Sequence, residues 1–188
     1  MAGSARWMLV ERARQGDHDA FARLAAELTA RLCAIATLIL GDSDDAQDAV
    51  QETLVRAWRE LPRLRDSDRF DAWVRRMLVN SCHDVGRQRR RHPLVRWIEP
   101  DVERPEPDRW GMVDERERLG RAFERLPMDQ RVVLVLQHYV GLTEQEIAEA
   151  ADIPLGTVKS RTRYAIRGMR AALEADDRLP VMAGGRVP

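Results

Sequence analysis

The sequence predicts an all-α protein with two helical domains joined by an extended acidic linker. Apolar residues recur every three or four positions along most of the 188 residues, and no segment alternates as a half-buried β-strand does. This periodicity stops between His92 and Trp110, where prolines and carboxylates dominate, and resumes afterwards. Apolar residues make up 44% and charged residues 33% of the chain, which favours a folded protein over a disordered one.

The first domain, predicted over 1–92, is a bundle of about four helices. Apolar side chains step by three and four through three successive stretches, 21–39, 46–61 and 70–85. Breaks with Asp or Ser available as helix N-caps separate these stretches. The breaks are Gly16-Asp17, Gly41-Asp42 and the segment 62–68.

The linker is predicted over 93–113 because its four prolines remove backbone donors and disfavour helix at the residues before them. The second helical domain is predicted over 114–175, and the last residues, 176–188, are predicted to be a flexible tail.

Within the second domain, three helix starts can be located. Pro127 opens one helix, and Thr143 with Glu146 three residues later forms a capping box that opens the next. The last helix is predicted to run from about Pro154 to Leu173. Residues 143–173 therefore have the form of a helix, a short turn and a second helix.

The net charge of the chain is zero, from 31 basic and 31 acidic residues, but the charges are segregated. Residues 42–52 contain five carboxylates and no base, whereas 156–170 contains five bases and no acid, and 87–91 reads RQRRR. Such blocks indicate separate surfaces for separate partners, and the basic ones suit polyanions.

Several classes of protein are excluded at this stage. The longest largely apolar run, 32–40, is far shorter than the roughly 20 residues of a membrane-spanning helix, and no signal peptide is recognisable. The two cysteines, Cys33 and Cys82, form neither a disulfide framework nor a metal site. We therefore expect a cytoplasmic protein without a membrane span, a metal or a cofactor.

The last predicted helix is amphipathic in a way that suits DNA. Val158, Ala165 and Met169 share one face at about 100° per residue, and the opposite face is basic with hydroxyl donors. A helix-turn-helix places such a second helix in the major groove. The alternative is an ordinary solvated helix. The residues of the basic side are Lys159, Ser160, Arg163, Tyr164 and Arg167.

The helix predicted over 70–90 also has a polar stripe opposite its apolar side, which fits a nucleic-acid backbone. Trp73 could stack on an unpaired base, but its spacing favours the core. The preceding loop, 65–69, could line a pocket for an extruded base, or Ser67 or Asp68 could simply cap the helix. The stripe consists of Arg76, Asn80, His83, Arg87 and Arg90.

The acidic segment predicts a helix face that DNA would avoid. Asp45, Asp48 and Glu52 project from one side, and Arg56 is placed to pair with Glu52. A basic protein partner is the simplest use for this face, and a merely solvated surface is the alternative.

Three segments together resemble bacterial RNA polymerase sigma factors of the extracytoplasmic-function branch. Residues 44–58 resemble the segment that grips the polymerase, and 70–80 resembles the adjoining segment that melts the promoter and reads its −10 element. Leu126-Pro127, Arg131, 146–148 and 156–161 resemble the −35-reading domain. The likeness covers roughly 17–92 and 114–173, with the three segments in order.

The resemblance implies sigma region 2 in the first domain, region 4 in the second, and a function for each surface. Core polymerase, through the β′ coiled coil, would bind Asp48, Gln51, Glu52 and Arg56. The −10 DNA would contact Arg65, Asp66, Ser67, Arg76, Asn80, His83, Arg87 and Arg90, with Arg89 also near the backbone. The −35 DNA would contact Thr157, Lys159, Ser160, Arg163, Tyr164 and Arg167.

The same resemblance implies a non-enzymatic subunit that directs core RNA polymerase to promoters and helps to open them. Its partners would be the β′ and β subunits of the polymerase, promoter DNA and an anti-sigma factor. One departure is Val79, which stands where relatives often carry a basic residue, so one DNA contact would be missing.

Two other functions remain open on the residues alone. A stand-alone repressor with the same helix-turn-helix would need a dimer interface, and 1–92 offers neither a βα pattern nor a heptad seam. A magnesium enzyme would need the acidic segment to be completed by a second cluster, and the four histidines are scattered. Its metal ligands would be Asp44, Asp45, Asp48 and Glu52.

Overall fold

The computed structural model describes the backbone of residues 2–91 and 111–178, and the side chains of residues 6–89 and 115–176. Every regular element within these residues is helical, which confirms the predicted all-α class. Most of the predicted linker, 93–110, and most of the predicted tail, 179–188, lie outside the described residues.

The first four helices form the predicted bundle. They are α1 (Ala2–Arg14), α2 (His18–Leu40), α3 (Ser43–Glu60) and α4 (Phe70–Arg91). Helix α2 packs against α1, α3 and α4, and α3 packs against α4. Leu24, Ile35 and Leu78 are fully buried at the centre, because the three-and-four spacing puts the apolar side chains of each helix on its inner face.

The predicted helix boundaries at two aspartates are confirmed. The carboxylate of Asp17 accepts a hydrogen bond of 3.0 Å from the backbone N–H of Ala20, and Asp42 accepts in the same way at the start of α3. Gly41 ends α2 in the left-handed conformation, with φ of 73°, which a residue without Cβ adopts freely.

Four further helices follow: α5 (Gly111–Glu124), α6 (Met128–Leu134), α7 (Glu144–Ala151) and α8 (Leu155–Arg178). The last turn of α6 continues as a π-helical segment, Val135–Tyr139. Helix α8 packs against α5, α6 and α7, so α7 and α8 form the predicted helix-turn-helix on a platform of the other two.

Helix α8 continues past the expected end at Leu173 to Arg178. The segment 174–178 contains neither Gly nor Pro. Its Asp176 accepts a hydrogen bond of 2.8 Å from the guanidinium of Arg125, which holds the end of α8 against α5. The sequence gives no sign of this contact, because its two residues are far apart in the chain.

The two helical units pack against each other, which the sequence did not predict. Helix α4 contacts α7, and α2 contacts α6. Buried residues of the first unit, such as Ile39 and Leu78, belong to one continuous apolar cluster with Val132 and Ile147 of the second. Periodicity identifies the apolar side of each helix but does not indicate which helix will cover it.

We expect Leu78→Ala to lower the free energy of unfolding by about 2–5 kcal/mol, because it leaves a cavity at a fully buried site where α4 meets the bundle. The matched control is Leu119→Ala, which shortens a leucine that is 44% exposed. Chemical denaturation of the two variants measures the difference, and equal losses would contradict the position of Leu78 in the core.

Candidate functional site

The acidic face of α3, defined by Asp48, Gln51 and Glu52, is exposed to solvent. Arg56 is half-buried beside it and binds Glu60 at 2.9 Å, so the expected pair of Arg56 with Glu52 is not formed. Carboxylates stand four residues before and four residues after Arg56, and the sequence does not indicate which of them the guanidinium prefers. The acidic face therefore keeps Glu52 available to a partner.

Asp45 was expected to project from this face with Asp48 and Glu52, but it does not belong to the exposed part. Its side chain is half-buried, and its carboxylate lies 3.3 Å from the guanidinium of Arg89 on α4. This contact ties the first turn of α3 to the last turns of α4. It also draws Arg89, one of the arginines expected near DNA, towards the bundle.

The polar stripe of α4 faces away from the bundle core. Arg76 and Arg87 are exposed, whereas Asn80 and His83 are half-buried. Arg87 forms an ion pair with Asp84 one turn earlier. The backbone of Arg90 lies within α4, and its side chain is outside the described residues. The structure thus places four of the five stripe residues along one side of one helix.

The loop before α4 is capped differently from the expectation. The carboxylate of Asp66, rather than Ser67 or Asp68, accepts a hydrogen bond of 3.0 Å from the N–H of Asp68 and begins the short 3₁₀ turn Ser67–Arg69. Arg65 and Asp66 are both exposed.

Ser67 is buried, and its hydroxyl donates to the carboxylate of Glu11 on α1. This hydrogen bond is the main reason that the pKa of Glu11 lies below its usual range. Ser67 therefore anchors the loop to α1, and the exposed atoms of the loop come from its neighbours.

The position of Trp73 agrees with the prediction that it packs in the core rather than with the alternative that it stacks on an unpaired base. Its ring is half-buried, packs on the apolar cluster and lies 6.1 Å from the ring of Phe70 at an angle of 38°.

Helix α7, the first helix of the helix-turn-helix, is fixed at both ends. Thr143 and Glu146 form the predicted capping box, in which each side chain binds the other's backbone N–H. These hydrogen bonds lower the pKa of Glu146. Asp152 ends α7 in the left-handed conformation with φ of 55°, which short polar side chains tolerate better than most. The start of α8 is thereby set at a defined angle to α7.

The basic face of α8, defined by Lys159, Arg163, Tyr164 and Arg167, is exposed as predicted. Arg163 and Arg167 have no carboxylate partner among the described residues, and the guanidinium of Arg167 lies 5.8 Å from the ring centre of Tyr164. Val158 and Ala165 are fully buried on the other side.

Three details of α8 differ from a simple two-faced helix. Ile166, whose helical spacing places it beside the packed residues, is 41% exposed because it lies where the packed and basic sides meet. Ser160 is half-buried and its hydroxyl donates to the carbonyl of Thr157 at 3.0 Å, and Thr157 is itself half-buried. A shallow groove of about 400 Å³ runs along this side. Its lining includes Glu144, Lys159, Arg163, Ile166, Arg167 and Arg170.

Residues of the second unit that no sequence pattern indicated lie against the polar stripe of α4. Arg76 pairs with Asp152 at 3.0 Å, and Arg69, just before α4, pairs with Glu149 at 2.9 Å. The partners are about 80 residues apart in sequence, so no local pattern links them. The sequence feature that could have indicated these contacts is the presence of acidic residues in a unit whose last helix, α8, has a basic face.

His83 lies at the same contact, with its Nδ1 3.7 Å from the carboxylate of Asp129. That distance is too long for a hydrogen bond, and burial lowers the pKa of His83 more than Asp129 raises it. Arg161, which binds Asp129 at 2.9 Å, and Arg87 lower it further. The imidazole is therefore neutral at pH 7.

Among the described side chains, those of residues 6–89 and 115–176, no group of three or more His, Cys, Asp or Glu is placed to hold a metal ion. In the same residues, none of the helices is both long enough and apolar enough to cross a membrane. Burial raises the pKa of the Cys82 thiol to about 12.

Two sequence profiles match the chain. The profile of Sigma-70 region 2 matches residues 24–92, and that of Sigma-70 region 4 matches residues 116–167. These ranges contain α4, most of α2, all of α3, and most of the helices of the second unit.

The chain is similar to curated proteins over most of its length. It is 31% identical to the RNA polymerase sigma-H factor of Pseudomonas aeruginosa, covering 88% of this chain and 92% of that protein. It is 32% identical to the ECF RNA polymerase sigma-E factor of Escherichia coli K12, covering 82% of this chain and 86% of that protein.

Two solved structures share the fold. CnrH, in complex with the cytosolic domain of CnrY, has a TM-score of 0.65 and 28% identity over 92% of this chain and 99% of that one. RpoE from Bartonella quintana, in complex with the anti-sigma factor NepR, has a TM-score of 0.63 and 24% identity over 83% of this chain and 98% of that one.

We expect acidification to destabilise the contact at His83. Because burial lowers its pKa in the folded state, the unfolded chain binds the proton more readily. The free energy of unfolding therefore falls as the pH drops below about 6.5 and through the lower folded-state pKa. In His83→Asn this fall is smaller. Denaturation at a series of pH values between 7 and 5 tests it, with His138→Asn, at an exposed site, as the control. Parallel profiles for all three proteins would contradict the assignment.

Proposed function

Because the chain belongs to the sigma-70 family, in its extracytoplasmic-function branch, we propose that its exposed helix faces bind different partners during transcription initiation. As a sigma factor, the protein recognises promoters for transcription initiation. The observation behind the division is that two exposed helix faces carry opposite charge, acidic on α3 and basic on α8. One surface repels DNA and the other attracts it.

The acidic face of α3 is the proposed docking site for core RNA polymerase. Asp48, Gln51 and Glu52 are exposed on consecutive turns, with Arg56 half-buried at the next turn. Two like charges four residues apart repel each other on an isolated helix, and a basic partner such as the β′ coiled coil would relieve that repulsion. The β subunit of the polymerase is proposed as a further partner.

The polar stripe of α4 and the loop before it are proposed to bind the −10 element. Arg65 and Asp66 are exposed on the loop, and the anchoring of Ser67 to α1 holds that loop in place. Arg76, Asn80, His83 and Arg87 would follow the backbone of the non-template strand, with Arg90 continuing the stripe.

The basic face of α8 is proposed to read the −35 element in the major groove. Arg163 and Arg167 are exposed with no carboxylate partner among the described residues, so binding DNA would break no ion pair of theirs. Lys159 and Tyr164 flank them. Thr157 and Ser160, which are half-buried near the start of α8, would contact the DNA backbone.

Several properties follow for the whole chain. We assign region 2 to residues 1–92, the linker to 93–113, region 4 to 114–175 and the tail to 176–188. The protein would act as a subunit without catalytic residues, a metal or a cofactor, in the cytoplasm where transcription occurs. CnrH was solved with a second protein bound, and we propose that an anti-sigma factor similarly binds this chain. The match of 24–92 to region 2 argues against a stand-alone repressor.

The experiment that tests the function is reconstitution of this chain with bacterial core RNA polymerase, followed by transcription from a genomic promoter library. Start sites that share two spaced sequence elements would support it. Absence of binding to core polymerase, together with duplex binding by the protein alone, would favour the repressor. A magnesium-dependent nuclease activity that is lost in Asp48→Ala would instead support the hypothesis that the protein is a magnesium enzyme.

We expect Asp48→Asn to weaken binding to core polymerase by about 1.5 kcal/mol, or roughly tenfold, because the substitution removes one charge of a proposed close pair without changing its shape. Binding of −35 duplex by the assembled holoenzyme should be unchanged per complex formed. Glu115→Gln, at an exposed acid on α5, is the charge-matched control. If the control weakened polymerase binding as much as Asp48→Asn, the effect would be one of net charge alone.

We expect Arg163→Ala to show the opposite pattern. Loss of a bidentate contact to guanine costs roughly 1–3 kcal/mol in recognition of the −35 element, whereas polymerase binding should not change. Arg116→Ala, at an exposed arginine of α5, is the matched control. Band-shift titration of holoenzyme on promoters with intact and altered −35 elements measures the effect. An equal loss on both promoters would mean that Arg163 contacts only the backbone.

A further inference from the structure

An exposed tryptophan on α1 lies outside the surfaces described so far. Trp7 is 47% exposed, whereas Trp58 and Trp73, the other tryptophans among the described side chains, are half-buried. A tryptophan side chain is normally buried to a large extent, because its ring carries a large apolar surface. Trp7 therefore leaves a flat apolar face in contact with water and available to a partner.

The fold does not depend on the exposed face of Trp7. Helix α1 packs on the bundle through Leu9, Val10 and Ala13, which are all buried. At about 100° per residue, Trp7 projects from the flank of α1 rather than from the middle of this apolar side. Its indole is thus not needed to close the core, and its exposure points to a role at the surface.

The flank of α1 that carries Trp7 faces the loop before α4. Trp7 and Glu11 are four residues apart, so they project within about 40° of each other. The carboxylate of Glu11 accepts a hydrogen bond from the hydroxyl of Ser67, and the turn Ser67–Arg69 packs against α1. Trp7 therefore lies one helical turn from a direct contact with the loop that is proposed to bind the −10 strand.

The backbone at Trp7 is also held by its neighbour in the chain. The guanidinium of Arg6 binds Asp71 in the first turn of α4 at 2.7 Å and Glu27 of α2 at 2.8 Å. Together with the contact of Glu11, these hydrogen bonds hold α1 against the start of α4. A side chain on a backbone held in this way loses less conformational freedom when it binds a partner.

The loop that Trp7 approaches carries cations suited to a DNA backbone. Arg63 and Arg65 are exposed, and neither has a carboxylate partner among the described residues. The loop also contains Asp66 and Asp68, and the carboxylate of Asp66 is occupied by the N–H of Asp68. Proteins bind single-stranded nucleic acid by combining aromatic rings, on which bases stack, with cations that bind phosphates.

A protein partner fits this surface less well than a nucleic-acid base does. Besides Trp7, Met8 is the only large apolar residue exposed on α1 among the described side chains. Stable protein interfaces bury about 800 Å² on each partner, which is far more than two side chains supply. A single unpaired base needs only one flat ring of about its own size.

We propose that Trp7 stacks on an unpaired base of the non-template strand beside the loop before α4. The proposal rests on the assignment of that loop and of α4 to the −10 strand made above. Stacking tolerates any sequence, because every base has an aromatic face. Trp7 thus stabilises the melted strand without selecting the promoter. A base that is still paired and stacked in the duplex gains nothing from Trp7.

The first test compares two forms of one promoter, taken from the library experiment above, with the reconstituted holoenzyme. One form is fully duplex and is kept closed by low temperature, and the other has its non-template strand unpaired from the −10 element onward. Trp7→Leu keeps an apolar side chain but removes the aromatic face. It should weaken binding of the unpaired form about tenfold and leave binding of the closed duplex unchanged.

Two further variants control for loss of folding and of apolar surface. Trp7→Phe keeps an aromatic ring and should retain most of the wild-type affinity for the unpaired form. Met8→Leu changes the exposed neighbour, which projects about 100° away from Trp7, and should have no effect. If Trp7→Phe bound as weakly as Trp7→Leu, or Met8→Leu lost as much affinity, stacking would not be the cause and the proposal would fail.

The second test removes the base instead of the indole. An abasic nucleotide is placed at each unpaired position of the non-template strand in turn. At one position the wild-type holoenzyme should lose about tenfold in affinity, whereas Trp7→Leu should lose little more, because its stacking partner is already absent. Equal losses in the two proteins at every position would show that no base depends on Trp7.

One comparison separates failure of this inference from failure of the proposed function. If Trp7→Leu binds the unpaired form as the wild type does while Arg76→Ala binds it weakly, the assignment of α4 holds and the inference about Trp7 is wrong. If neither variant weakens binding, the assignment of this surface to the −10 strand is wrong as well. Reduced binding of Trp7→Leu to core polymerase would mean that the indole contacts the polymerase, and would also overturn the proposal.

Discussion

Helix α4 is buried along one side by α2 and α3, with Leu78 and Val79 fully enclosed, and most other features of the molecule depend on this burial. An amphipathic helix held in this way has no freedom to rotate, so its polar stripe must face outward. The loop before it is fixed as well, because Ser67 is anchored to α1. The same outward side then meets α7 of the second unit. Packing of one apolar stripe thus determines both which polar side chains α4 turns outward and which helix lies against them.

Separation of charge explains how a protein of zero net charge serves two kinds of partner. Acids on α3 and bases on α8 lie on different helices of different units, so each surface keeps its own local potential. Where opposite charges do meet, at Arg76 with Asp152 and at Arg69 with Glu149, they bind each other instead of a partner. Position in the fold, rather than composition, decides whether a charged residue is available.

Much of the fold was predictable because it depends on local rules. Asp17 and Asp42 cap helices as their sequence contexts indicate, and the capping box of Thr143 and Glu146 forms with both of its hydrogen bonds. The candidate surfaces followed from helical periodicity in the same way. Errors arose where a choice depended on distant or competing partners. Arg56 pairs with Glu60 rather than with Glu52. Helix α8 continues to Arg178, and its Asp176 binds Arg125.

The sequence by itself determined the all-α class, the order of the helices and which side of each helix is apolar, because these depend on residues within one or two turns of each other. Only the tertiary structure decided that α4 meets α7 and α2 meets α6, that Asp45 turns towards Arg89, and that Met128 fits over Gly86. The physical reason is that burial of apolar surface is not directional. An apolar stripe on a helix indicates that this side will be covered. Which helix covers it depends on shape and charge complementarity across the whole chain.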